Sequence, residues 1–152
     1  MHTSDGIPIT SNGHDIPTEL YRDLTDHTGH IGDPEALRAA LQSDGYLYLR
    51  SALDADHVLA AREEVFKRLV EVGEVDEPAI DGISTGVSKR EDVVDNQASY
   101  WKSVCEGSAL RGVTHSGRML EIAESLHGEP VSPFDFLWLR AMPPGKASPF
   151  HF

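Results

Sequence analysis

Between Val131 and Met142 the chain alternates as a strand would, yet both of its faces are largely apolar. Phe134, Phe136, Trp138, Arg140 and Met142 fall on one side, and Leu137, Leu139 and Ala141 on the other. A strand of that kind needs cover on both faces, as in the wall of a sandwich or barrel. Pro143-Pro144-Gly145 then ends it, and Phe150-His151-Phe152 brings a histidine where the chain is expected to re-enter a sheet.

Upstream, the punctuation reads as helices. Asp33-Pro34-Glu35 combines an N-cap, a proline suited to the first helical position and an acid that complements the helix dipole. Leu37, Ala40 and Leu41 share one face, and Gly45 is the expected stop. Tyr46-Leu47-Tyr48-Leu49-Arg50 reads as a strand by composition and alternation. A second helix is expected from Asp54 to about Val72, with Val58, Leu59, Val65, Phe66, Leu69 and Val70 forming its apolar stripe. A third is expected over Ser116–His127, ending at Gly128. Residues 73–98 lose the helical period and read as a long acidic loop, and residues 1–32 as a loose arm.

The 152 residues amount to one domain or a piece of one. Acids outnumber bases 25 to 13, a net charge of −12, which opposes grip on a phosphate backbone and on an anionic membrane surface. No apolar run approaches the ~18 residues of a membrane-spanning helix. The N-terminus lacks the pattern of a secretion signal, and Cys105 stands alone, so a reducing cytoplasm is the expected compartment.

Several segments in order resemble the N-terminal half of a phytanoyl-CoA dioxygenase-like protein. They are Asp44-Gly45-Tyr46-Leu47-Tyr48-Leu49, the helix from Asp54, Ser125-Leu126-His127-Gly128, Phe136-Leu137-Trp138-Leu139-Arg140, and Pro143-Pro144-Gly145 leading into Phe150-His151-Phe152. The resemblance covers roughly residues 33–152. It implies an α+β fold in which N-terminal helices pack on the first strands of a double-stranded β-helix (jelly-roll), cut short before the barrel closes.

That family consists of non-haem iron(II), 2-oxoglutarate-dependent oxygenases, and the resemblance implies an enzyme that hydroxylates a small organic substrate. His151-Phe152 supplies the first two positions of the family's His-x-Asp motif, which makes His151 the implied metal ligand. The Asp, a distal histidine and an arginine for the co-substrate carboxylate would all lie further on. The chain is therefore expected to be an N-terminal fragment, to hold iron weakly by itself, and to self-associate through unpaired strand edges. Two histidines and a carboxylate leave three adjacent positions open on iron, and His-x-Asp on a strand aims both side chains to one face.

The resemblance also places Trp138 and Arg140 beside the 2-oxoglutarate pocket, with ordinary packing and a strand-end ion pair as the competing reading. Residues 74–100 would border the substrate entrance, with Asn96, Gln97, Tyr100 and Trp101 as the contacts. His27 and His30 have metal-ligand spacing but sit among glycines without a third ligand, so they read as solvated. Gly82-Ile83-Ser84-Thr85-Gly86 lacks the Lys and the strand–helix setting of a phosphate loop. The alternatives to the oxygenase reading are a complete, non-catalytic jelly-roll binding module and a cupin-type enzyme using another metal.

Overall fold

The computed structural model describes residues 10–11 and 13–141. A two-residue antiparallel pair, Thr10–Ser11 (β1) with His14–Asp15 (β2), precedes helices α1 (Pro34–Asp44), α2 (Ala55–Glu71), α3 (Arg90–Val93), α4 (Gln97–Cys105), α5 (Ser108–Thr114) and α6 (Gly117–His127).

Aspartate side chains cap the starts of α1 and α2, and left-handed glycines end α1 and α6. Asp33 Oδ1 accepts from the backbone of Glu35 at 3.1 Å and Ala36 at 3.0 Å, satisfying two orphan donors of α1. Gly45 closes that helix at φ 78°, a left-handed turn that glycine adopts without strain. Asp54 caps α2 through the His57 N–H at 2.9 Å, and Gly128 closes α6 at φ 76°. Arg38 reaches from α1 to the carbonyls of Ser125 and Leu126 at 3.2 and 3.3 Å, tying α1 to the end of α6. The apolar stripe of α2 is only partly covered: Ala61 and Leu69 are buried, whereas Val58 and Leu59 near its start are exposed.

The stretch expected as one long loop is more ordered than its composition indicates. Val75 bridges Ser84, a 3-10 turn covers Ala79–Asp81, and α3 and the start of α4 follow. These helices are 4 and 9 residues long, too short to print a clear 3.6-residue period. Helix α5 had no expected counterpart either. Its N-cap, Gly107, offers no side chain, and the cap comes from Glu64 on α2, which accepts from Ala109 N at 3.1 Å and Leu110 N at 3.0 Å.

The two expected strands have no ladder among the described residues. Tyr46–Arg50 instead pairs with the preceding arm: His27 N donates to Tyr48 O at 2.9 Å, and Arg50 N donates to Thr28 Oγ1 at 2.7 Å. Over 137–141 the alternation survives in the burial, with Leu137, Leu139 and Ala141 half-buried while Trp138 and Arg140 are exposed. Met142 lies outside the described residues. Leu139 rests on the core cluster of Val72, Tyr100 and Val104, which fixes this segment against α4.

Candidate functional site

Helix α4 and residues 134–141 face each other across a cleft of about 970 Å³. Asn96 opens α4 by accepting from Ser99 N at 2.9 Å. The helix then turns Tyr100, Val104 and Cys105 inward and leaves Trp101 half-buried at the cleft.

Arg90 and Trp101 form one wall. The guanidinium carbon of Arg90 lies 4.6 Å from the Trp101 ring centre, a cation–π distance. Arg90 Nε donates to Glu74 Oε1 at 2.8 Å, and its Nη2 donates to the same oxygen. Glu74 is 7% exposed, so the pair satisfies a carboxylate that would otherwise be costly to bury. Behind this wall Tyr100 packs edge-on to Trp101 at 5.3 Å and donates its hydroxyl to Arg68 O at 2.6 Å. Burial pushes the Tyr100 phenol above its ordinary pKa.

The opposite wall hangs from α5. Arg111 donates from Nη1 to Asp135 Oδ1 at 2.9 Å and from Nη2 to Asp135 O at 2.8 Å, while its Nε donates to Cys105 O at 3.3 Å. His115, which caps the end of α5, places Nε2 3.1 Å from Phe134 O. Between these anchors and Leu139, Phe134, Phe136 and Trp138 are 82%, 70% and 64% exposed. Arg140 lies over the Trp138 ring at 4.7 Å.

Of the residues singled out from sequence, Trp101, Trp138 and Arg140 line this one cleft. Asn96 and Gln97 do not: the first is a helix cap, and the second donates to Arg90 O at 3.0 Å. Tyr100 lies in the core behind Trp101. The expected substrate-side loop is thus a helix with one of its four residues on the cleft, and His151 lies outside the described residues. Sequence reasoning missed Arg90 and Arg111, which are 21 positions apart and meet the site only through tertiary packing. Cys105 is buried, as its type predicts.

Among the described residues, no group of three or more His, Cys, Asp or Glu could hold a metal ion, and no helix is long and apolar enough to cross a membrane. No family model matches the chain, and no solved structure matches it. Over 131 residues the chain is 30% identical to the 1-deoxypentalenic acid 11-beta-hydroxylase of Streptomyces exfoliatus, an alignment that takes in 86% of this chain. The chain spans less than half of that relative, 44% of its length. It is therefore similar, over most of its own length, to the corresponding portion of a hydroxylase.

Proposed function

We propose that this chain forms the N-terminal part of an iron(II)- and 2-oxoglutarate-dependent oxygenase that hydroxylates a small organic molecule in the cytoplasm. The observation that carries the reading is the 30% identity to a hydroxylase across 131 residues. A cleft walled by Trp101, Trp138 and Arg140 supports it, since those residues were expected at the small-molecule pockets.

In this reading the helices and the alternating segment over 134–141 are the first elements of a jelly-roll, and further strands cover the exposed face of Phe134, Phe136 and Trp138. The domain begins at residue 33, after a loose N-terminal arm over residues 1–32. His151 is the first imidazole of an iron site completed by residues beyond Phe152. Trp138 and Arg140 border the 2-oxoglutarate pocket, where the guanidinium supplies charge to a carboxylate. Iron with 2-oxoglutarate and dioxygen supplies an oxidant strong enough for an unactivated C–H bond. In the described cleft Trp101 offers an aromatic surface to a substrate, Arg90 holds that ring in place, and Arg111 fixes the facing wall.

Reading the natural gene past Phe152 tests the assignment. An Asp directly after Phe152, then a distal histidine and an arginine, is the expected result, and without that Asp the assignment largely fails. The protein carrying that extension is expected to release succinate from 2-oxoglutarate in the presence of iron(II) and to lose this on His151→Ala.

A further inference from the structure

We infer that Glu74, which does not itself line the cleft, is the positioning residue for Trp101: acting through Arg90, it holds the indole at the angle against which a substrate packs. The inference rests on the hydroxylase reading for the use to which the cleft is put.

A guanidinium stacked on a half-buried ring does not stay there unaided. The contact of Arg90 with Trp101, at 4.6 Å, is worth no more than the rotamer entropy that an arginine gives up in making it. Glu74 removes that freedom, because Nε and Nη2 of Arg90 both donate to its Oε1, and a planar fork held at two of its nitrogens cannot turn freely. Each partner starts from fixed backbone. Glu74 N donates to Leu69 O at 2.9 Å, and Glu74 O accepts from Thr85 N at 3.0 Å. On the other side, Lys89 N donates to Val72 O at 2.9 Å, and Gln97 Nε2 donates to Arg90 O at 3.0 Å.

Stability alone does not account for this pair. A carboxylate as buried as Glu74 could be replaced, together with its arginine, by well-packed apolar side chains at no net loss. What an apolar pair could not supply is direction. Arg90 covers one face of the indole, Tyr100 meets the ring edge-on at 5.3 Å, and the surface left over is what Trp101 presents to the cleft. An indole without those neighbours has several staggered rotamers open to it. With both fixed, a ligand finds the ring already oriented and is spared the entropy of ordering it.

The chain has two tryptophans, so in a Trp138→Phe background fluorescence reports Trp101 alone. Acrylamide quenching then reads how well the ring is covered, and titration with adamantane-1-methanol, a neutral apolar probe, reads the cleft. Glu74→Leu keeps the bulk but accepts no hydrogen bond. It is expected to raise the quenching constant about two-fold, as one covered face opens, and to weaken the probe about three- to ten-fold. Glu74→Gln keeps an acceptor in the same place and should retain most of both. Arg90→Lys leaves Glu74 its counter-charge, and so the fold, but has no flat group to stack. It should copy Glu74→Leu, and combining the two should add little. If Glu74→Leu does not fold, Arg90→Lys decides the matter. Variants that unfold at lower urea yet keep the parent's quenching and probe affinity would make the pair structural only and overturn the inference, as would a parent that shows no saturable probe binding. Succinate release is measured separately: its absence beside an intact Glu74 effect would reject the oxygenase reading and leave the positioning role standing.

Discussion

His27 Nε2 lies 3.1 Å from Asp44 Oδ2, and the ring that makes this contact is 3% exposed. Its other nitrogen accepts the Tyr48 N–H at 3.2 Å, so the ring proton sits on Nε2 and points at the carboxylate. The histidine expected to be solvated is instead the peg that fastens the arm to Tyr46–Arg50, with Tyr46 packed edge-on against it at 5.6 Å. Nothing in its local spacing signals this, because its partners lie 17 and 21 residues away.

His27→Ala is expected to cost about 1–3 kcal/mol, since it strands the Tyr48 N–H and removes a buried ring. Urea unfolding of the two proteins measures this. A loss under about 0.5 kcal/mol would mean that the arm contributes nothing to the folded state.

Asp44 titrates below the ordinary carboxylate value of 3.8, first because the Ser43 hydroxyl donates to it and then because His27 does. A carboxyl whose folded pKa is depressed stabilises the fold above the unfolded value, and that contribution disappears as pH falls through the folded one. Asp44→Asn should therefore flatten the acid limb of the stability profile below about pH 4. Stability recorded from pH 6 downward gives the comparison.

Glu64 and Gly107 form a matched pair. A Cβ on Gly107 would collide with Glu64 Oε1, so Gly107→Ala expels the carboxylate that caps α5. Glu64→Ala leaves the Ala109 and Leu110 donors orphaned and is expected to cost about 1–2 kcal/mol. Because both changes destroy one cap, the double variant should lose little more than either single variant.

Gly82 and Gly86 separate strain from collision. Both adopt positive φ, 64° and 75°, but a Cβ at Gly82 strikes the Phe66 ring while one at Gly86 meets open space. Gly86→Ala should cost about 1–2 kcal/mol of backbone strain alone. Gly82→Ala should cost clearly more, and equal melting temperatures would contradict the geometry.

Burial raises the Tyr100 phenol above its ordinary 10.0, with Arg68 opposing the shift. A raised folded pKa means stability that is complete below the unfolded value and is lost as pH climbs through the folded one. Tyr100→Phe should remove a tyrosine that titrates above pH 10.0 from an absorbance titration. It should also cost about 1 kcal/mol at neutral pH through the lost bond to Arg68 O.

What could be read from the chain was whatever depends on near neighbours. Asp33, Pro34 and Gly45 bound α1 within a residue of expectation, and Asp54 starts α2, because caps act over three or four positions. The half-buried faces of Leu137, Leu139 and Ala141 follow from alternation. Helix α5 escaped notice because its cap sits 45 positions upstream on another helix. Arg90 and Arg111 escaped notice for a related reason: an arginine outside any motif looks like a solvated charge until Glu74 or Asp135 is brought against it.

The aromatic wall is suspended from α5 by two side chains, Arg111 and His115, and α5 is in turn seated on α2 by Glu64. The contacts from α2 to the wall that Trp138 shares with Trp101 thus run through one carboxylate and one guanidinium, with Leu139 on the core as a second anchorage. Loss of Glu64, far from the opening, is expected to loosen that wall at its buttress rather than at its door.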